Sequence, residues 1–423
     1  MMSRTNPSDE SVIEPQIGGE DRLRLRDLAW RVADIAALPV QAERRRLWYR
    51  HNRLDRTRPL VLVFPEGGTR ELLPESVLEC ENERAREMEF ELRRRIYFFE
   101  NLRDDKPVEN EWIVRKVIHN SGWGLEPKWI YSEDPTGARK FDPVINTPAD
   151  LKKLRPPQIE YDREATELAL AEAEDLFGDI LDVRLKGVRS VSFHPMRLLS
   201  ARRDLGNLMM DMAADPGFVH DAMAILEAGY RGVLDQYIGL GLLDLNNDSA
   251  YCGSGGLGYT DELPQADFDG EHVRPCDMWG FAEAQELALV SPEMHEEFAL
   301  RYERRLLEPF GLNAYGCCED LTRKLDYVLT IPNIRRISIS PFADLERCAE
   351  RLGDRYILSW KPHPGYLVGD FSPDAIRSYL ERALEVGSDC VFEMVLKDTH
   401  TCEHRPERFT IWTDIARELA ARY

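Results

Sequence analysis

From residue 188 to the C-terminus, short apolar runs alternate with segments of helical periodicity, and this alternation restricts the fold more than any other feature. Runs typical of buried strands lie at 188–193, 242–245, 313–316, 334–340, 356–360 and 390–396. Strands that alternate with helices predict a parallel sheet, and about eight such units fit a (β/α)8 TIM barrel. The main competitor is a doubly wound sheet, but no Gly-x-Gly-x-x-Gly follows a predicted strand.

Three regions are predicted along the chain. Residues 1–20 contain Ser, Pro, Gly and acids with few large apolar groups, so we expect a disordered tail. Residues 21–146 form a helical N-terminal extension that includes the first barrel strand, at 59–64, and a cap. Residues 147–423 supply the remainder of the barrel, beginning where Thr147 and Pro148 form a helix start.

The charge balance excludes some partners. The chain has 55 Lys+Arg against 76 Asp+Glu, a net charge of −21, which argues against nucleic acid or an anionic membrane surface. No apolar run of membrane-spanning length occurs, and the N-terminus lacks the apolar core of a secretory signal. We therefore expect a cytoplasmic protein whose eight cysteines are reduced thiols or metal ligands.

Polar residues follow many of the predicted strands, where a barrel enzyme keeps its active site. The most distinctive are Cys317 and Cys318 after one strand and Cys402 after a later one. Thiolates bind Zn²⁺ well, and three protein ligands with one open position are typical of a catalytic zinc site. The alternative is that these cysteines are small buried apolar residues, because no short chelating motif is present.

Other strand-end residues also have two interpretations. Glu66 is a ligand or base, or an exposed turn carboxylate; His194 and His363 shuttle a proton, or only bond to backbone. The turn Asn246, Asn247 and Asp248 binds a polar substrate or only forms a local cap.

Several segments resemble the uroporphyrinogen decarboxylase-like superfamily, nearest to its zinc-dependent corrinoid and coenzyme M methyltransferase branch. The resemblance covers about residues 147–423 and is carried by 196–212, 214–220, 241–248, 290–298 and 353–355, among which the Asp-Pro and Ser-Pro-Glu-Met segments are the most specific.

This resemblance implies a zinc site and a corrinoid. The family's two zinc cysteines fall on Cys317 and Cys402, but its histidine falls on Tyr315, so Cys318 becomes the expected third ligand. His400, His404 and Glu319 stand as substitutes. Whether the metal site survives with Tyr315 in that place is left open.

The function expected from the resemblance is methyl transfer between a small methylated compound or thiol and a corrinoid held by a partner protein. Tyr251, Trp279, Tyr315, Glu66 and the 246–248 turn are expected to contact substrate, with His194 or His363 moving a proton. The charge weighs against a polyanionic porphyrinogen and leaves a neutral or cationic methyl donor open. The alternatives are a cofactor-free decarboxylase or lyase that uses Asp248 and His194, and a non-catalytic barrel. A homodimer through the first 146 residues is also open.

Overall fold

A computed structural model describes residues 17–132 and 139–423 of the chain. The strands in these residues are β1 (Leu60–Val63), β2 (Glu111–Arg115), β3 (Val117–Asn120), β4 (Lys128–Tyr131), β5 (Arg139–Asp142), β6 (Ile159–Asp162), β7 (Asp182–Lys186), β8 (Val191–Phe193), β9 (Trp279–Ala282), β10 (Leu312–Tyr315), β11 (Ile334–Ile339), β12 (Ile357–Trp360) and β13 (Val391–Leu396).

The helices are α1 (Gly19–Ala36), α2 (Pro39–Asn52), α3 (Thr69–Leu72), α4 (Glu83–Tyr97), α5 (Arg163–Phe177), α6 (Pro195–Arg203), α7 (Leu205–Ala214), α8 (Pro216–Gly239), α9 (Pro292–His295), α10 (Arg301–Leu307), α11 (Leu325–Val328), α12 (Leu345–Leu352), α13 (Pro373–Val386) and α14 (Glu407–Ala420). A π-helical turn, Glu296–Leu300, joins α9 to α10. Residues 1–16 of the predicted tail lie outside the described residues, and α1 begins at Gly19.

A seven-stranded parallel sheet forms the centre of the fold, in the order β1-β13-β12-β11-β10-β9-β8. Every residue of β1, β10, β12 and β13 is buried, as expected for a parallel sheet covered on both faces. The strands from β8 to β13 lie in chain order, with β1 beside β13. A doubly wound sheet reverses its strand order, so this order favours the connectivity of a barrel.

The sheet is barrel-like without being closed by hydrogen bonds. Within the residues that the structure describes, no ladder joins β1 to β8, so the predicted (β/α)8 barrel is supported as a parallel α/β sheet and not as a closed barrel. The predicted strand at 242–245 is reduced to one bridge between Val188 and Leu243. The sheet is nevertheless strongly curved, because Cys318 after β10 lies near Asp398 after β13, across two intervening strands.

The three largest of five apolar clusters account for most of the buried core in the described residues. The main cluster lies between the sheet and its helices, where Phe409 and Trp412 of α14 pack with Val61 and Leu396. A second cluster joins α6, α7 and α8. A third joins α1, α4 and α5 to β2, which pairs in parallel with β7. This last pairing crosses the predicted boundary between residues 146 and 147, which stays a prediction.

No helix in residues 17–132 or 139–423 is both long enough and apolar enough to cross a membrane.

Candidate functional site

The carboxyl ends of the parallel strands place a set of reactive side chains along one edge of the sheet. These side chains are Glu66 after β1, His194 after β8, Glu283 after β9, Cys317 after β10, Lys361 after β12 and Lys397 after β13. Because the sheet is curved, groups from strands that are not neighbours meet on the inner side of this edge.

The thiol of Cys317 is the centre of the closest group. Ser254 donates its hydroxyl hydrogen to Cys317 Sγ over 3.3 Å, and the Lys397 ammonium donates to Ser254 Oγ over 3.2 Å. The Sγ atoms of Cys317 and Cys318 are 3.6 Å apart. We call Cys317, Cys318, Ser254 and Lys397 the thiol cluster.

These neighbours favour the ionised form of Cys317. The contact with the Cys318 thiol, followed by the Lys397 charge and the Ser254 hydrogen bond, lowers the pKa of Cys317 to about 6, although burial acts in the opposite direction. The same contact raises the pKa of Cys318, together with burial and the Cys317 charge. At neutral pH the cluster therefore holds one thiolate, at Cys317, and one thiol, and the thiolate is the nucleophilic form of cysteine.

A glycine-rich loop carries Ser254 into this position. A Cβ atom on Gly255 would lie 2.3 Å from Ser359 Oγ and 2.6 Å from Lys361 Nζ. Gly256 has a φ of +75°, and a Cβ atom there would lie 2.5 Å from the Arg336 guanidinium carbon. Only glycine fits against these strands, so the loop reaches the sheet interior because of its composition.

Charged side chains beneath the thiol cluster fill the inside of the curved sheet. Arg336 Nε and His51 Nε2 each lie 3.0 Å from an oxygen of the buried Glu393 carboxylate. Lys361 Nζ donates to Ser359 Oγ over 2.7 Å. Burial, opposed by the Glu393 charge, lowers the pKa of Lys361 to about 7. This layer places ionisable groups near the thiol in a setting of low water content.

Tyr315, at the family's histidine position, is entirely buried instead of facing a ligand. Its hydroxyl donates to Glu303 Oε2 over 2.7 Å and lies 2.9 Å from His295 Nε2. Burial and the Glu303 charge hold the pKa of Tyr315 well above its usual value. Tyr315 therefore connects β10 to α9 and α10, and its predicted contact with substrate stays a prediction.

The predicted histidines occupy two different settings. His194 Nδ1 lies 2.8 Å from Glu283 Oε1, on the edge that carries the thiol cluster. His363 accepts a hydrogen bond at Nδ1 from the Gly365 N–H over 3.0 Å, so it caps a short turn. The structure thus supports a site position for His194, while His363 has the local structural contact that the sequence left as its alternative.

The predicted turn at 246–248 is mainly structural. Asn246 is buried, and its Nδ2 donates to the carbonyl oxygens of Arg189 and Trp279 over 2.9 and 3.0 Å. Asn247 donates to the Leu263 carbonyl, and Asp248 forms an ion pair with Arg189. These side chains hold the segment against β9.

The remaining substrate candidates lie on either side of the edge. Trp279 is buried and donates through Nε1 to the Gly258 carbonyl over 3.1 Å. Glu66 Oε2 accepts the N–H of Asp398 over 3.0 Å, and Tyr251 packs edge to face on Phe64 with ring centroids 4.8 Å apart. Tyr251 is 37% exposed, so its ring is open to solvent on one side.

The three predicted zinc ligands are not assembled. Cys402 donates its thiol hydrogen to Glu71 Oε2 over 3.0 Å, and burial together with Glu71 raises the pKa of Cys402 to about 11. In the described ranges, no group of three or more His, Cys, Asp or Glu side chains is placed to hold a metal ion. Two adjacent thiols do not complete the three-ligand set of a catalytic zinc site, so the residues described do not fit the zinc of the resemblance.

A cavity of about 790 Å³ lies beside Tyr251, between α4, β2 and the segment that leads into β8. This volume lies in the range of small-molecule sites. Tyr251 lines the cavity and packs on Phe64, which lies just after β1. None of the four residues of the thiol cluster lines the cavity, so the cavity is a space separate from the cluster.

The sequence pointed to the strand ends as the site but did not single out Ser254, Lys361 or Lys397. Lys361 and Lys397 directly follow predicted strands, and that position was the available signal. Ser254 had a weaker signal, as the one hydroxyl residue within Gly253-Ser254-Gly255-Gly256. The segment at 317–318 was the most distinctive in the sequence, and the structure makes it the centre of the site.

Comparisons with known proteins give limited information. No protein-family model matches the chain, and no curated protein matches it. Among solved structures, the chain is similar to a methyltransferase from Methanosarcina mazei at 12% sequence identity and a TM-score of 0.37, over 62% of this chain and 72% of the other.

Proposed function

We propose that the chain is a methyltransferase in which the Cys317 thiolate receives a methyl group from a small methylated compound. The observation that carries the proposal is the thiol cluster, in which the Ser254 hydroxyl and the Lys397 ammonium are arranged to favour an ionised Cys317 sulfur. A thiolate is the nucleophile that methyl transfer to sulfur requires, and most free cysteines are protonated at neutral pH.

The proposed step balances without an oxidant or reductant. A lone pair of Cys317 Sγ forms the new sulfur–carbon bond while the bond from the methyl carbon to the donor atom breaks. The electron pair of that bond leaves with the donor atom, so the donor is a cationic sulfonium or quaternary ammonium compound that departs as a neutral sulfide or amine without needing a proton. Lys397 and Ser254 orient the sulfur and keep it ionised until the donor binds.

A second nucleophile then takes the methyl group and restores the Cys317 thiolate. It must be strong enough to displace a thiolate, and the reduced corrinoid on a partner protein that the resemblance implies belongs to this class. No step is assigned to zinc, because the described side chains do not form a ligand set for it.

The proposal is tested by following a labelled methyl group. Protein is incubated with labelled methyl iodide and, separately, with labelled trimethylsulfonium and tetramethylammonium, and its peptides are mapped by mass spectrometry. We expect the label on Cys317, its loss in Cys317→Ser, and its retention in Cys276→Ser, a matched change at another partly exposed cysteine. Reduced cobalamin added afterwards is expected to remove the label. Label spread evenly over several cysteines, or none on Cys317, would contradict the proposal.

A metal-free lyase is the second candidate, because His194 and the buried Glu283 form a close polar pair on the same edge. Burial, reinforced by the Glu283 charge, raises the pKa of the neighbouring Glu286 to about 7, which suits a general acid. The predicted pair of Asp248 and His194 is not in contact, since Asp248 binds Arg189. Turnover of a carboxylated substrate that survives Cys317→Ser but not His194→Gln would favour this candidate.

A further inference from the structure

The cavity beside Tyr251 has a charge opposite to that of the chain as a whole. Seven cationic and four acidic side chains line it, although the chain carries a net charge of −21. Cavities lined by one sign of charge attract ligands of the other sign, because their low-dielectric walls focus the field. The positive lining of the cavity therefore favours an anionic ligand. The neutral or cationic donor expected from the sequence was inferred from the net charge of the whole chain.

The acids of the cavity do not neutralise its cations. Arg94 and Arg95 share the single carboxylate of Glu91, over 2.6 and 2.9 Å. Glu109 is held from outside the cavity by Arg45 at 2.8 Å. Asp104 accepts the backbone N–H of Val63 over 3.0 Å, so it is bound to β1. Lys186 and Arg189 are paired with Asp244 and Asp248. The other five cations still exceed the four acids of the lining, so a small excess of positive charge remains.

Lys106 is the clearest member of this excess. Its ammonium lies 5.9 Å from the centroid of the Phe64 ring, and within the described residues no carboxylate forms an ion pair with it. Burial and the neighbouring Arg94 charge lower the pKa of Lys106. These two effects outweigh the opposing Asp104 and Glu91 charges, and the negative charge of a bound anion would favour the charged form of the lysine.

We propose that this cavity binds the anionic group of a small organic substrate, a carboxylate, phosphonate or sulfonate, with Lys106 and Arg94 as its binding residues. Aromatic side chains supply the apolar wall for the rest of such a molecule: Phe98, Phe99, Trp112 and Tyr251. Phe64 contacts both Lys106 and Tyr251, so it supports the cationic and the aromatic part of the cavity lining from behind. Its reaction at Cys317 rests on the proposed function, whereas its binding does not.

The experiment measures binding of phenylphosphonate by titration calorimetry, with benzyl alcohol as the uncharged probe. Phenylphosphonate is expected to bind the native protein and benzyl alcohol is not. Lys106→Met should weaken phenylphosphonate at least about tenfold, while Lys106→Arg should retain most of the affinity because it keeps the charge. Lys152→Met, at an exposed lysine that does not line the cavity, is the matched control and should bind as the native protein does.

Two outcomes would overturn this inference: equal binding of the two probes, or unchanged phenylphosphonate binding in Lys106→Met. Cys317→Ser separates it from the proposed methyl transfer. That variant should bind phenylphosphonate normally, so a failure of the methyl-labelling experiment with intact binding would reject only the reaction. Loss of phenylphosphonate binding in Lys106→Met with unchanged thermal unfolding would show that the binding defect is local.

Discussion

Cys317 owes its reactivity to side chains from separate parts of the chain. Cys318 is its neighbour, Ser254 comes from the glycine-rich loop, and Lys397 follows β13. The contacts with Ser254 and Lys397 cannot be read from residue spacing, because they depend on how the loop and β13 are placed in the curved sheet. The sequence indicated that residues 317 and 318 mattered, but the partner it suggested, Cys402, is bound to Glu71 instead.

Lys397 gives the first prediction. Replacing it with methionine removes a positive charge beside the thiolate, so the Cys317 pKa should rise by about one unit. The pH midpoint of iodoacetamide alkylation at Cys317 measures this change. Lys397→Arg keeps the charge and should leave the midpoint near the native value. An unchanged midpoint in Lys397→Met would show that the ammonium does not act on the sulfur.

Tyr315 gives a prediction about stability. In Tyr315→Phe the hydroxyl that contacts both Glu303 and His295 is lost, and the Glu303 carboxyl loses a buried partner. A buried polar group without a partner costs about 1–3 kcal/mol, so the free energy of unfolding in urea should fall by that amount. Tyr327→Phe, at a partly buried tyrosine elsewhere, is the control. A Tyr315→Phe protein as stable as the native one would contradict the packing role.

At the scale of elements, the glycine-rich loop connects the inside of the sheet to the thiol. Gly255→Ala would place a methyl group 2.3 Å from Ser359 Oγ. We expect the loop to move outward in response, which increases the distance between Ser254 and Cys317. We expect a lower melting temperature and a higher pH midpoint of Cys317 alkylation. Gly232→Ala, in α8 with open space around its Cβ position, should be neutral or stabilising. Equal behaviour of the two variants would contradict this account of the loop.

The elements also show where sequence patterns are insufficient. The apolar runs at β1, β11, β12 and β13 predicted strands correctly, because each is buried on both faces and contains branched residues. Strand β9 was missed because Trp279-Gly280-Phe281-Ala282 has a glycine in its centre. That glycine is required, since a Cβ atom on Gly280 would lie 2.6 Å from the Phe310 ring. Glycine is required at position 280 because of a tertiary contact, which a local sequence pattern does not reveal.

At the scale of the whole molecule, buried carboxyl groups make stability depend on pH. Burial, reinforced by the Glu283 charge, raises the pKa of the fully buried Glu319 from 4.5 to about 8. Between these values the folded protein keeps a proton that the unfolded chain has released. Stability therefore falls as pH rises through this window and levels off above the folded pKa.

Glu319→Gln tests this dependence. The native free energy of unfolding in urea should be lower at pH 8 than at pH 6, by an amount of order 1–2 kcal/mol from Glu319. The glutamine variant has no proton to lose and should show a smaller difference between the two pH values. Glu293→Gln, at an exposed helix start, should keep the native difference. The same slope in all three proteins would contradict a protonated Glu319.

The central claim is that Cys317 is a thiolate at neutral pH, and alkylation as a function of pH tests it most directly. Native protein is treated briefly with iodoacetamide across a range of pH, and the modification of each cysteine is measured by mass spectrometry. Cys276, whose pKa is raised by burial and Asp277, is the internal reference. The account predicts a midpoint near pH 6 for Cys317 and a much higher one for Cys276. If Cys317 is alkylated only at the high pH at which Cys276 is alkylated, the account is contradicted.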